Sequence, residues 1–149
     1  MIKVIGHSIR MVGDKMIFLL LAVAYGSTFL EELGTGSSCS DIGVVFINSY
    51  TITPYPPTAC VPQAVQMVGT FSQNYCVDQI LITEVYNNQQ TFNQQVPVDN
   101  CFNKGEQVVF TFNINTFVCS SGTYSVQTAI QSHAPALNLG CWQYSYTLS

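Results

Sequence analysis

The sequence predicts an all-β domain, a two-sheet antiparallel β-sandwich, and three observations predict it. Apolar and polar residues alternate with a period of two in segment after segment. Turn-forming residues separate those segments at short intervals, and no stretch carries a helical period or an internal repeat. Six or seven strands at such spacing, in a chain of 149 residues, fit two packed sheets.

Val44 to Thr53 reads as the first strand and stops at Pro54, Pro56 and Pro57. Gln63 to Ser72 is the second, closed by Ser72, Gln73 and Asn74, and Gln79 to Tyr86 is the third, closed by Asn87 and Asn88. Thr91 to Val98 reads as a short edge strand, because Pro97 lacks the N–H that a central strand must donate. After the Asn103-Lys104-Gly105 turn, Val108, Phe110, Phe112 and Ile114 point one way, and Val109, Thr111, Asn113 and Asn115 the other. Beyond Ser120, Ser121 and Gly122, Tyr124, Val126, Thr128 and Ile130 oppose Ser125, Gln127, Ala129 and Gln131. In the last strand Trp142, Tyr144, Tyr146 and Leu148 oppose Cys141, Gln143, Ser145 and Thr147.

The N-terminus has a different pattern. Lys3, Arg10 and Lys15 precede an apolar run from Met16 to Ala24, which ends in the small-x-small site Ala22-Val23-Ala24. This is the layout of a secretory signal peptide over residues 1–24, its core far shorter than the roughly 20 residues that span a bilayer. Residues 25–38, with Gly34, Thr35 and Gly36 after Glu31 and Glu32, read as a flexible N-terminal segment, and residues 39–149 as the folded domain. All six cysteines (Cys39, Cys60, Cys76, Cys101, Cys119 and Cys141) lie in that domain. An even count beyond a leader predicts three disulfides formed in an oxidising lumen, and the expected location is secreted or the lumen of an endosome or lysosome.

Residues 25–149 contain one cation, Lys104, beside seven carboxylates, a net charge of −6. A single lysine cannot neutralise a run of phosphates, so nucleic acid is excluded as a partner, and attraction to anionic membrane through a basic patch is disfavoured. Catalysis finds little support. His133 is the one histidine beyond the leader and is expected as a solvated loop residue, and no Gly-x-Ser-x-Gly elbow occurs. Asp78, Glu84, Asp99 and Glu106 are scattered singly and are expected as surface charges. Zinc would need close Cys-x-x-Cys pairs, which are absent. The chain therefore reads as a non-enzyme that needs no metal and no cofactor.

The aromatic load is the stronger signal. Phe110, Phe112, Tyr124, Val126 and Trp142 are expected first of all in the core. Phe92, Val96, Val98, Phe102, Phe117 and Val118 instead fall in or near connections that are normally polar, where apolar residues can line the mouth of a cavity at the sandwich edge.

Four motifs in order make the chain resemble the ML lipid-recognition domain family. Cys101, Lys104 and Gly105 ahead of Val108 to Phe112 are similar to the family's Cys-x-x-x-Lys-Gly opening of a late strand. Gly122-Thr123-Tyr124 resembles its Gly-x-Tyr, Leu139-Gly140-Cys141-Trp142 its Leu-x-Cys-aromatic ending, and Pro54-Tyr55-Pro56 its Pro-x-Pro after the first strand. The resemblance spans Cys39 to Ser149 and implies an immunoglobulin-like two-sheet sandwich with a lipid cavity between the sheets. It makes a sterol or phospholipid the expected ligand, with transient membrane contact, and places Phe92, Phe117 and Val118 near the pocket mouth. Phe92, Val96, Phe102, Phe110, Phe112, Phe117, Val118, Tyr124 and Trp142 are the candidate lipid-binding residues. The alternative is a secreted immunoglobulin-like interaction module with a solid core. The chain departs from the family where Tyr55 replaces a loop cysteine and Cys101 lacks a nearby partner.

The resemblance also implies a Cys39–Cys141 disulfide, leaving three pairings for the other four cysteines. Sequential pairing would have to fold strands of some 20 Å back within the roughly 7 Å a disulfide allows. In an immunoglobulin-like order the Gln63 and Val108 strands run the same way, which predicts Cys60–Cys101 and Cys76–Cys119.

Overall fold

The computed structural model describes residues 36–39, 43–57 and 60–149, and the leader with most of the expected tether lies outside them. Strands β1 (Ser37–Ser38), β2 (Val45–Thr53), β3 (Gln63–Phe71), β4 (Tyr75–Tyr86), β5 (Gln90–Phe102), β6 (Gln107–Ile114), β7 (Gly122–Ser132) and β8 (Asn138–Leu148) account for most of these residues, and none of them is helical. They form two antiparallel sheets, one of five strands in the order β1-β8-β7-β4-β5 and one of three in the order β2-β3-β6. The end of the expected tether is thus structured, with Ser37–Ser38 paired to Trp142 and Gln143.

Alternation builds the core. On β6, Phe110, Phe112 and Ile114 are buried while Val109, Thr111 and Asn113 are exposed, and β7 and β8 follow the same rule with Tyr124, Val126, Trp142, Tyr144 and Tyr146 inward. Three β-bulges change the phase where the buried residues are an odd number apart. Val77 and Ile80 both face the core because a bulge at Asp78 inserts one residue between them. A second bulge at Asn48 does the same for Val45 and Tyr50. A third, between Ile130 and Gln131 on β7, leaves Leu139 unopposed on β8, and Leu139 turns inward with Trp142.

Turn chemistry closes the hairpins. Asn87 and Asn88 both adopt left-handed backbone, at φ 49° and 55°, which asparagine tolerates better than most residues. The Gln89 N–H then donates to the Tyr86 carbonyl at 3.0 Å. Gly105, at φ 82°, lets the β5–β6 connection turn, with the Asn103 N–H donating to the Glu106 carboxylate at 2.8 Å. β5 corrects an expectation: it is an edge strand, but it is the longest strand, at 13 residues, rather than a short one. It runs past Pro97 because Cys101 pairs with Cys76 and Phe102 packs on Phe71, with ring centroids 4.8 Å apart.

The disulfides are Cys39–Cys141, Cys60–Cys119 and Cys76–Cys101. The bridge implied by resemblance is present, while the predicted Cys60–Cys101 and Cys76–Cys119 pairs are not. The error lies in strand direction. β3 and β6 are adjacent and antiparallel, with Gln63 opposite Ile114 and Thr70 opposite Gln107. Cys60, ahead of β3, therefore meets Cys119, beyond the end of β6, and Cys76 meets Cys101 as a direct cross-strand neighbour. Three such bridges suit an oxidising extracellular or lumenal environment.

Candidate functional site

The sheet of three strands is narrower than the sheet of five, so β5 lies at the sandwich edge opposite β6. Phe92, Gln94, Val96 and Val98 on its inward face are only partly buried, and they alternate with exposed Thr91, Asn93, Gln95 and Pro97. A side-chain clamp crosses this seam. Gln94 Nε2 donates to the Asn113 carbonyl at 2.7 Å, and the Asn115 N–H donates to Gln94 Oε1 at 3.0 Å. Beside the clamp, Phe92 stacks on Phe117 with centroids 5.4 Å apart and planes 7° apart, although Phe117 is 42% exposed.

The structure sorts the nine candidate residues. Phe92, Val96, Phe117 and Val118 lie along the β5/β6 seam, with Phe110 and Phe112 behind them on β6. Phe102 closes one end, its ring 6.0 Å from Phe110. Tyr124 belongs to a different end, stacked on Tyr146 at 4.8 Å and leaning on Tyr86 at 5.1 Å. Trp142 lies at the opposite side, stacked on Tyr50 of β2 at 5.8 Å. There the sheets are tied by buried hydrogen bonds: the Tyr50 hydroxyl with Thr128 Oγ1 at 2.8 Å, and the Tyr144 hydroxyl to Gln63 Oε1 at 3.1 Å. Gln63 is completed by donating Nε2 to the Pro54 carbonyl.

One expectation is overturned by a residue at the heart of the seam. Glu84, read as a surface charge, is fully buried. It faces inward on β4 between Phe92 of β5 and Val126 of β7. Its Oε1 accepts the Phe117 N–H at 3.3 Å, and its Oε2 takes a long contact of 3.5 Å from the Tyr146 hydroxyl. Among the described residues no ion pair reaches it, and Lys104 is exposed on the β5–β6 turn. Burial raises its pKa above the ordinary carboxylate value, an effect only partly offset by the Phe117 and Val118 N–H groups and the Tyr146 hydroxyl. Burial likewise pushes the phenols of Tyr124, Tyr144 and Tyr146 upward, with the nearby Glu84 carboxylate adding to each. The signal was present in the sequence: Ile80, Ile82 and Glu84 share one parity of an alternating strand.

The β6–β7 connection, residues 115–121, lies over this carboxylate. Besides the Asn115 and Phe117 contacts, Val118 and Ser120 carbonyls both accept the Tyr124 hydroxyl, and the Ser121 carbonyl accepts the Tyr86 hydroxyl at 2.9 Å. Cys119 anchors the same stretch to Cys60.

His133 lies at the far end of β7, half-exposed as expected of a loop histidine. Its Nδ1 is 3.3 Å from Asp78 and its Nε2 is 3.5 Å from Asp99. Among the described residues no group of three or more His, Cys, Asp or Glu side chains has the arrangement of a metal site. A groove of about 440 Å³ crosses the outer face of the three-stranded sheet, lined by Thr51, Gln66, Thr111 and Asn113 together with Ala64, Val65 and Phe112, a mixed polar and apolar surface. The chain matches no protein-family model and no curated protein. The likeness to lipid-recognition domains therefore rests on its motifs.

Proposed function

We propose that this chain is a secreted or lumenal lipid-binding protein that admits an acyl chain or sterol through the β5/β6 seam. One observation carries the reading: the inward apolar face of β5 is left partly uncovered beside the exposed ring of Phe117. A soluble protein gains nothing from such a face unless something apolar covers it in use. An acyl chain that loses about 300 Å² of apolar surface there gains roughly 7–8 kcal/mol before ordering costs are paid. No catalytic step and no cofactor enter this reading, and membrane contact is transient, made while lipid is loaded or released.

The test is uptake of a fluorescent sterol and a fluorescent phospholipid, with native mass spectrometry of protein from its own source. Phe117→Asp and Val118→Asp should cut uptake at least tenfold while leaving the unfolding midpoint nearly unchanged. Phe110→Ala should cost about 3–5 kcal/mol of stability as a core truncation. If the loop substitutions unfold the protein as readily as Phe110→Ala does, the seam is ordinary core and the reading fails.

The alternative, an interaction module with a solid core, draws support from the opposite half of the sandwich, where Tyr50–Thr128 and Tyr144–Gln63 bond across the sheets. Lipid-free spectra and no uptake of either probe would favour it.

A further inference from the structure

The strap formed by residues 115–121 is held by side chains from three strands of the larger sheet. Gln94 and Phe92 reach it from β5, Glu84 and Tyr86 from β4, and Tyr124 from β7. Of these, Glu84 is the one carboxyl, and the strap touches it through the Phe117 N–H. A buried carboxylate with the Phe117 N–H at 3.3 Å, the Val118 N–H, a 3.5 Å hydroxyl contact and no cation is only partly compensated for its lost hydration. The groups that face it from the packed elements are phenols, Tyr86 on its own strand, Tyr124 on β7, and Tyr144 and Tyr146 on β8, with the Phe117 and Val118 N–H groups on the strap. None of them supplies a positive charge.

We propose that the strap is a lid over the lipid seam, closed on the neutral Glu84 and released when that carboxyl ionises and draws in water. This rests on the lipid-uptake reading of the same seam. The sign follows from linkage. The closed state desolvates the carboxyl and binds its proton more tightly than the open, hydrated state does, so acid favours closure and a rise in pH favours opening. The Phe117 and Val118 N–H groups favour the ionised form but offset only part of the burial effect, so the direction stands. The transition begins near the ordinary carboxylate value of 4.5 and extends upward. Lid and seam then act together: lipid exchanges while the carboxylate is ionised and is retained when it is protonated.

The experiment follows amide hydrogen exchange of the full protein at pH 4.5 and pH 7.5, corrected for intrinsic rates, alongside stopped-flow uptake of a dansyl-labelled fatty acid. In the unaltered protein, protection at Phe117 and Val118 should be several-fold higher at pH 4.5 than at pH 7.5, because closure raises the proton affinity of Glu84. Uptake should be slower there by a similar factor, while protection on β6 at Phe110 and Phe112 stays constant. Glu84→Gln keeps an acceptor for the Phe117 N–H but cannot ionise, so its strap protection and uptake rate should be equal at the two pH values. Equal strap protection in the unaltered protein overturns the lid without recourse to any variant. A pH dependence that persists in Glu84→Gln assigns it to another group and overturns the lid as well. Strap protection that responds to pH in the unaltered protein alone, with no uptake of the fatty acid, the fluorescent sterol or the fluorescent phospholipid at either pH, upholds the lid and removes the lipid reading instead.

Discussion

Glu84 shows how one side chain can oppose the packing around it. A carboxyl whose proton affinity is raised by folding supplies stability below its ordinary value of 4.5 and loses it as pH climbs through the raised value. Glu84→Gln should therefore be the more stable protein at pH 7, by about 1–3 kcal/mol in urea titrations, with the advantage shrinking towards pH 4. A variant less stable than the parent at pH 7 would mean that the ionised carboxylate is compensated after all. At this scale the sequence was legible wherever alternation was uninterrupted: Phe110, Phe112, Tyr124, Tyr144 and Tyr146 all occupy the faces their parity predicts. Glu84 obeys the same parity, set inward with Ile80 and Ile82, although its charge alone predicts an exposed site. Trp142 and Tyr124 are core residues as their parity predicts, but the distance of Trp142 from the seam depends on which strands face each other, which parity cannot reveal.

Strands were read well in existence and less well in extent and order. β3, β6, β7 and β8 begin and end close to the expected turns, because Gly, Asn and Ser punctuate them. β4 and β5 extend beyond their expected limits because the bulge at Asp78 disguises the alternation and the Cys76–Cys101 bridge carries the hairpin on. Strand order is a product of packing between distant segments, which is why the antiparallel contact of β3 with β6, and with it two disulfides, lay beyond local patterns. The approach of β8 to β2 has a measurable signature. A Cβ placed on Gly140 would come within 2.7 Å of the Val45 carbonyl oxygen and 3.0 Å of its Cβ. Gly140→Ala must push β8 away from β2 and should cost about 1–3 kcal/mol, read as a lowered midpoint in thermal or urea unfolding. A neutral effect would show that the two strands slide apart freely, against the Tyr50–Trp142 stack that bridges them.

For the molecule as a whole, the unequal width of the sheets has an effect beyond ligand binding. β5 overhangs the smaller sheet, and its outer backbone edge, 13 residues long, has no neighbour among the described strands. Such an edge is a template on which a second copy can crystallise its own strand, the first step towards fibrils. Two residues interrupt the template: Pro97, which cannot donate, and Asp99, whose left-handed backbone at φ 44° bends the strand and presents an exposed charge. The surplus of seven carboxylates over one lysine in residues 25–149 adds mutual repulsion, which fades as the carboxylates take up protons. Pro97→Thr should therefore remain monomeric at pH 7.5 but scatter light within hours near pH 4.5, under conditions where the parent stays clear. Equal clarity of the two proteins would acquit proline of any protective part. The overhang that would admit the proposed guest also leaves the protein open to its own kind, and acid is where that hazard is greatest.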